Sequence, residues 1–201
     1  MESMTEGTKE IVNNTFHESP NYADVFLNGV KYDARIVIES DETQKKILFR
    51  PNTKIYKGDV IEVKDKHYLV NNTYDNEIYP TAYVDFCNEW LRWTDVNGIL
   101  ITYPCVVKGK TYDLNNDKFV VISESTITIS VPYNENTKNI PILQRFILNG
   151  KPYKIEGIDA LSDVAFGKGI IHMQGVQALT EAEDDLVDDV ADNKGSGWGD
   201  W

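Results

Sequence analysis

Hydrophobic and polar residues alternate along much of this 201-residue chain. The alternation has the period of two that is typical of half-buried β-strands, and it is strictest at residues 126–131. Both Asn and Gly tolerate the positive φ that a two-residue type I′ turn requires, so an Asn-Gly pair between apolar segments predicts a β-hairpin. Three such pairs occur, at Asn28-Gly29, Asn97-Gly98 and Asn149-Gly150.

The segment 87–107, CNEWLRWTDVNGILITYPCVV, predicts the longest hairpin, with Asn97-Gly98 as its turn. A two-residue turn sets Trp90 opposite Cys105. In that register both faces of the hairpin are partly apolar, so one face suits the core and the other needs a second sheet, domain or subunit. The interface candidates on this hairpin are Leu91, Trp93, Leu100 and Val106.

The two ends of the chain differ from its β-like middle. Residues 1–22 are polar and aperiodic, which indicates an arm that becomes ordered only on a neighbour. Residues 176–191 place apolar side chains at helical spacing and predict the only helix. After it, a Gly-rich end carries Trp198 and Trp201, which are candidate anchors in a partner's pocket. Leu186, on the predicted helix, is a further interface candidate.

These patterns predict a mostly-β protein in four parts. Residues 1–22 form an N-terminal arm, and residues 23–95 form a barrel-like β domain. Residues 96–175 form a second β domain, of the sandwich or immunoglobulin-like type, and residues 176–201 form a short acidic helix with a flexible tail. Two β domains of roughly 80 residues each have the size of small independent modules.

The formal net charge of −12 changes the range of expected partners. Phosphate contacts need clustered Lys and Arg, so the acidity argues against a nucleic-acid-binding face and against an anionic membrane surface. The acidic residues concentrate near the C-terminus, where they form either a solvated helix or a surface that docks on a partner or lines a channel. The candidates are Glu181, Glu183, Asp184, Asp185, Asp188 and Asp189.

Residues that carry chemistry are sparse. None of His17, His67 and His172 has a Ser, Cys or carboxylate at the sequence spacing of a triad or metal motif, and no Gly-rich phosphate loop is present. The predicted register separates Cys87 from Cys105, which favours two free buried thiols. We therefore expect no catalysis, cofactor or metal. An alternative interpretation assigns several aromatic residues to a sugar-binding surface. They are Tyr74, Tyr79, Tyr83, Trp90 and Trp93.

Four segments, taken in order, carry a family resemblance. They are GDVIEVKDKHYLV (58–70), CNEWLRW with the following turn and YPCVV (87–107), QRFILNGKPYKIEGID (144–159) and EAEDDL (181–186). The set resembles structural proteins of tailed phages of Gram-positive bacteria, of the head–tail joining type. The first segment is also similar to a hairpin of phage head-closure proteins, which are small β-barrels.

The resemblance implies a non-enzymatic virion protein of the phage neck. Identical subunits would form a ring between the portal or adaptor protein and a tail-side protein, and DNA would pass through it. An acidic lumen would repel DNA phosphates. The resemblance implies neither sequence-specific nucleic-acid binding nor a membrane partner.

Localisation and function leave alternatives open. The chain start lacks the basic region of a signal peptide, and no apolar segment approaches the ~20 residues that span a membrane, so we expect synthesis in the host cytoplasm. One alternative function is a tail-tip or fibre-base module that binds host glycan. Another is a generic interaction module whose acidic tail docks on a basic partner.

Overall fold

The computed structural model describes residues 2–38, 45–94, 98–109, 126–182 and 184–191. The chain divides into two compact units, Met1–Cys87 with Ala165–Ile170, and Asn88–Val164 with Ile171–Trp201. Strands dominate both units, so the predicted mostly-β class with two β domains is confirmed. The division falls after Cys87 and not near residue 95, because both strands of the hairpin that was expected to straddle the boundary belong to the second unit.

The first unit is a closed antiparallel barrel with the strand order β1-β2-β3-β6-β5-β4. Its strands are β1 (Tyr22–Leu27), β2 (Val30–Ile38), β3 (Lys45–Phe49), β4 (Val60–Val63), β5 (Lys66–Tyr74) and β6 (Thr81–Phe86). Closure leaves no free sheet edge, and alternate side chains fill the interior. The barrel core contains Val25, Leu27, Ala34, Ile47, Phe49, Ile61, Val63, Tyr68, Val70, Ala82 and Val84.

Tight turns close two hairpins of the barrel. Asn28 (φ 49°) and Gly29 (φ 81°) join β1 to β2, as their sequence predicts. Lys64 (φ 48°) and Asp65 (φ 63°) join β4 to β5. Both turns have positive φ at their two central residues, which matches the right-handed twist of the paired strands.

The predicted N-terminal arm is a helix instead. Helix α1 (Glu2–Thr15) is followed by a 3₁₀ turn (Phe16–Glu18) in the first unit. Val12 is buried and Phe16 is fully buried, one helical turn apart, whereas Ile11 is exposed. The prediction was wrong because only two side chains of this segment are known to be buried, and two positions are too few to produce a detectable helical periodicity in the sequence.

The second unit is built on a seven-stranded sheet with the order β10-β11-β13-β9-β8-β7, and β12 pairs with β13. The turn end of the β12–β13 hairpin, Ala165–Ile170, belongs to the first unit. The strands are β7 (Glu89–Thr94), β8 (Leu100–Gly109), β9 (Thr126–Pro132), β10 (Arg145–Leu148), β11 (Lys151–Asp159), β12 (Val164–Ala165) and β13 (Lys168–Gln177). The alternation predicted for β9 is confirmed, with Ile127 and Ile129 buried. The core also contains Leu91, Trp93, Cys105, Val131, Ile140, Phe146, Leu148, Ile155, Ile171 and Met173.

The β7–β8 hairpin pairs one residue away from the predicted register. Trp90 lies opposite Pro104, and Thr94 lies opposite Leu100, so the connection is longer than two residues. A slip of one residue moves every side chain to the other face of a strand. Trp93 therefore points into the core, where it stacks on Tyr103 at a centroid distance of 6.0 Å.

The predicted C-terminal acidic helix is absent from the described residues up to 191, where β13 runs on to Gln177 and is followed by turns. The backbone of Asp185 forms an isolated bridge with Val190. The Asp185 carboxylate accepts hydrogen bonds from the backbone N–H groups of Val187 and Asp188, at 3.0 Å each. Such local side-chain bonds satisfy backbone donors outside a helix and so compete with helix formation.

Candidate functional site

An open groove of about 560 Å³ lies on the first unit. It is formed by the segment between β3 and β4 and by the end of β5 with the segment that follows. Two exposed tyrosines, Tyr56 and Tyr74, supply aromatic surface. The lining residues are Asn52, Thr53, Lys54, Ile55, Tyr56, Thr73, Tyr74, Asp75, Asn76, Glu77, Pro80 and Thr81.

Partly buried hydrogen bonds hold both sides of this groove. The buried Asp59 carboxylate accepts from the backbone N–H of Tyr56 and from the Asn28 side chain, each at 2.8 Å. The Asn76 side-chain oxygen accepts from the backbone N–H groups of Ile78 and Tyr79, at 2.8 and 3.1 Å. The groove is therefore largely preformed, as ligand and peptide grooves usually are.

The tip of the β12–β13 hairpin carries an exposed aromatic side chain that the sequence analysis did not single out. Phe166 (φ 51°) and Gly167 (φ 74°) occupy the two turn positions, and the Phe166 side chain is fully exposed. A left-handed conformation costs an L-residue roughly 1–2 kcal/mol, so a bulky residue with positive φ is unusual. The sequence signal was a Phe-Gly pair, which lacks the small polar first residue that marks most such turns.

Two barrel arginines hold the end of α1. Arg35 donates to the carbonyl oxygens of Phe16 and Thr15 at 3.0 Å each, and Arg50 donates to that of Asn13 at 2.6 Å. Their guanidinium groups also lie 4.5 and 4.9 Å from the Phe16 ring centroid. The last carbonyls of a helix have no partner within it, and these side chains supply one.

Arg145 ties the acidic C-terminal segment to the second unit. Its buried guanidinium donates to Asp184 at 3.1 and 2.8 Å, lies 2.9 Å from a Glu181 carboxylate oxygen, and donates to the Leu179 carbonyl at 2.9 Å. The Asp184 side chain is itself buried. Asp184 is therefore a structural ion-pair residue and not a free acid that could face a channel.

The remaining predicted acids have mixed surroundings. Backbone N–H groups of Asp188 and Val187 hold the pKa of Asp185 below its usual range. The Asp189 carboxylate accepts from the backbone N–H of Gly150 at 2.9 Å, and Arg92 donates to the Asp188 carbonyl. The carboxylates of Asp185 and Asp189 thus satisfy backbone donors. Glu183, Trp198 and Trp201 lie outside the described residues.

The hairpin candidates for an interface divide into buried and exposed residues. Leu91 is fully buried and Trp93 is 6% exposed, so both belong to the core of the second unit, which corrects their assignment as interface residues. Val106 is also buried. Leu100 is 54% exposed and Leu186 is 41% exposed, so these two remain available to a partner.

Two strands and a turn bring together a Ser–His–Asp set that spacing along the chain does not reveal. Ser130 Oγ lies 2.9 Å from His172 Nδ1, and His172 Nε2 lies 2.8 Å from Asp163 Oδ2. These distances meet the pairwise requirements of a nucleophile, a base and an orienting carboxylate.

A serine hydrolase also needs N–H groups aimed at the developing oxyanion. The backbone N–H groups of Leu161 and Ser162, close in sequence to Asp163, already donate to Asp159 at 3.0 and 2.9 Å. We therefore interpret the set of Ser130, His172 and Asp163 as a hydrogen-bond network that holds this loop on β9 and β13. The absence of catalysis stays a prediction.

Both cysteines are buried, and neither forms a disulfide. Burial, together with the charge of Asp85, raises the pKa of Cys87 to about 12. A thiol with so high a pKa forms little thiolate, the nucleophilic form, near neutral pH. Cys87 is therefore a packing residue.

The part of the chain that the structure describes contains neither a metal-binding cluster nor a membrane-spanning helix. No group of three or more His, Cys, Asp or Glu side chains there is arranged to hold a metal ion. No helix among the same residues is long and apolar enough to cross a membrane.

The fold and the sites define a two-domain, mostly-β protein with a preformed groove and an anchored acidic segment. Residues 2–86 match the YomX N-terminal domain, and residues 89–175 match the YomX C-terminal domain. The chain thus belongs to the YomX family, which is phage-derived. The two matches meet at the structural division after Cys87.

The comparisons with solved structures and with curated proteins give no information about function. The apo structure of K. pneumonia MrkH is 8% identical, with 89% of this chain and 87% of that chain covered and a TM-score of 0.27. The MrkH–c-di-GMP complex is 9% identical, with coverages of 90% and 89% and a TM-score of 0.24. A likeness of this size carries no argument about function. The comparison with curated proteins gives no match.

Proposed function

We propose that this protein is a non-enzymatic structural component of the phage neck, whose subunits form a ring that joins the portal or adaptor protein to a tail-side protein. The observation that carries the proposal is the exposure of large apolar side chains on a phage-derived two-domain scaffold. Among them are Phe166, Leu179 and Val187. Side chains exposed to this degree remove the most apolar area from water when a neighbouring subunit covers them.

The charge supports passage of DNA without binding. A net charge of −12 makes the subunit surface repel phosphates, and a ring would sum that repulsion around its lumen. Because the Asp184 charge is neutralised by its ion pair with Arg145, the charge of the lumen would come from exposed acids such as Asp188. The same ion pair weakens the alternative in which the acidic segment docks on a basic partner.

Assembly and location test the proposal directly. Light scattering and negative-stain electron microscopy of the purified protein should reveal closed rings, and antibody labelling of virions should mark the neck. A protein that stays monomeric over a wide concentration range, or that labels the tail tip, would contradict the proposal.

Glycan binding is a second candidate because of the groove on the first unit. Tyr56 and Tyr74 offer ring faces, and Asn52, Asp75 and Asn76 offer polar groups beside them, a combination that suits a sugar. A glycan array with the wild-type protein and with Tyr74→Ala tests it. Binding that the substitution abolishes would favour this function, whereas a neck protein should bind nothing.

A further inference from the structure

We propose that neighbouring subunits join through a knob and a groove: the Phe166 side chain of one copy inserts into the groove beside Tyr74 of the next copy. The occupant of the groove is thus a second copy of this chain. This inference rests on the proposed ring and names the contact that builds it. Both parts belong to the first unit, so each subunit would offer one knob and one groove.

The knob is the turn residue Phe166. Its ring is fully exposed, although a phenyl group is among the side chains that gain most from burial. Its backbone also has the left-handed conformation, with φ 51°, which disfavours a bulky residue. Phe166 thus combines an exposed apolar ring with a disfavoured backbone conformation, and no contact in the isolated chain offsets either cost. Such a combination is typical of a residue that serves to bind a partner.

The base of the knob is held in place. Lys168 Nζ lies 3.8 Å from the buried Asp59 carboxylate and 5.5 Å from the Tyr56 ring centroid. The backbones of Gly58 and Gly169 approach so closely that a Cβ on Gly58 would overlap the Gly169 carbonyl group. A knob fixed in this way loses little conformational freedom on binding, which favours affinity.

The groove suits an aromatic guest. Its volume of about 560 Å³ lies within the range of small-ligand pockets, and Ile55, Pro80 and the two tyrosines provide apolar contact. Tyr74 is 60% exposed, so its ring is available to a guest. Hydrogen bonds already fix both loops, and insertion therefore needs no large rearrangement.

The charges of the two parts are complementary. The turn segment 164–169 carries Lys168 and no acid. The Lys168 side chain lies 3.8 Å from Asp59 of its own subunit but is 52% exposed, so it also presents positive charge to a neighbour. The groove lining carries two acids, Asp75 and Glu77, and one base, Lys54. Because Glu77 is paired with Lys9 at 3.2 Å, Asp75 is the acid that the incoming knob would meet. Opposite charges at the rim favour encounter and orientation.

A knob and a groove on different elements of one chain form a heterologous contact. Such contacts propagate from subunit to subunit and close into a ring when the rotation permits. This geometry predicts that a subunit without its knob can still accept a neighbour, and that a subunit with a blocked groove can still donate its knob. One subunit of each kind should therefore form a single knob-in-groove contact, and the pair should not grow further.

The experiment uses Phe166→Asp to remove the knob and Tyr74→Asp to spoil the groove. Leu161→Asp is the matched control, since Leu161 is another largely exposed apolar residue, at 87%, and lies outside both parts. Circular dichroism and thermal unfolding establish that each variant folds. Light scattering should find oligomers for the wild type and for Leu161→Asp, and monomers for Phe166→Asp and for Tyr74→Asp. A mixture of the two monomeric variants should form a one-to-one dimer and nothing larger.

Each contrary result has its own meaning. If the wild type forms rings and Phe166→Asp forms them equally well, the inference is wrong and the proposed function stands. The inference also fails if Leu161→Asp disrupts assembly as strongly, or if the mixed variants stay monomeric. A wild type that never assembles contradicts both proposals. Assembly that survives Tyr74→Asp, together with loss of glycan binding, would assign the groove to a sugar.

Discussion

Arg145 and Asp184 form a two-point ion pair whose atoms are 3.1 and 2.8 Å apart, with both side chains buried in the second unit. The partners are 39 residues apart in the chain. Two parallel N–H···O bonds fix the carboxylate in orientation as well as distance. The pair anchors the C-terminal segment in a non-helical path, to which the local hydrogen bonds of the Asp185 carboxylate also contribute.

Breaking this pair should destabilise the second unit. Arg145→Ala leaves the Asp184 carboxylate buried without its partner, and loss of one member of a buried pair costs about 3–5 kcal/mol. Urea unfolding, followed by tryptophan fluorescence, measures the change in the free energy of unfolding. The double variant Arg145→Met with Asp184→Leu is the control and should recover much of the loss. An Arg145→Ala variant with unchanged stability would show that the pair is solvated.

Trp93→Ala should unfold or loosen the second unit. The indole is 6% exposed, stacks on Tyr103 and meets the edge of Phe146 at 6.1 Å, so its removal leaves a cavity. Truncation of a core Trp costs about 3–5 kcal/mol. The matched control is Trp90→Ala on the exposed face of the same strand, with an expected cost below about 1 kcal/mol. Equal effects of the two substitutions in urea unfolding would contradict the observed register.

Phe16→Ala should release α1 from the barrel. The ring is fully buried beside the guanidinium groups of Arg35 and Arg50, and a Phe-to-Ala change in a core costs about 3–5 kcal/mol. Hydrogen exchange should therefore accelerate across residues 2–18 while the barrel strands stay protected. Ile11→Ala, an exposed position on the same helix, should leave the exchange unchanged. Uniform acceleration over the whole first unit would instead show that α1 and the barrel unfold together.

Asp159 should make stability depend on acid pH. Hydrogen bonds from the Ser162 hydroxyl and from the backbone N–H groups of Ser162 and Leu161 lower the pKa of Asp159 from 3.8 to about 2. Because the folded-state pKa is lower than the unfolded-state pKa, this contribution to stability is present above pH 4. It is lost as the pH falls through the range from about 4 to 2.

The measurement is unfolding at a series of pH values for the wild type and for Asp159→Asn. The variant should lose stability near neutral pH and show a flatter decline between pH 4 and 2 than the wild type. Parallel curves would mean that other carboxyl groups account for the acid sensitivity.

Part of the fold follows from local sequence because the physical cause is itself local. The turn at Asn28-Gly29 depends on φ preferences of two adjacent residues, and the exposure pattern of β9 depends on the alternation of its own side chains. The β class of both units and the hairpin at Asn149-Gly150 were predictable for the same reason. The groove and the Phe166 knob were not, since exposure depends on what surrounds a residue.

By itself, then, the sequence determined the strands, most of the tight turns, the acidity and the resemblance to phage structural proteins. Only the tertiary structure decided the three features in which distant residues compete with local preference. Burial of Leu91 and Trp93 determined the β7–β8 register, which differs by one residue from the register that an Asn97-Gly98 turn predicts. Arg35 and Arg50 docked α1, and Arg145 held the acidic segment out of a helix. Each outcome depends on a contact between residues far apart in the chain, whose energy exceeds the small local propensities that a sequence pattern records.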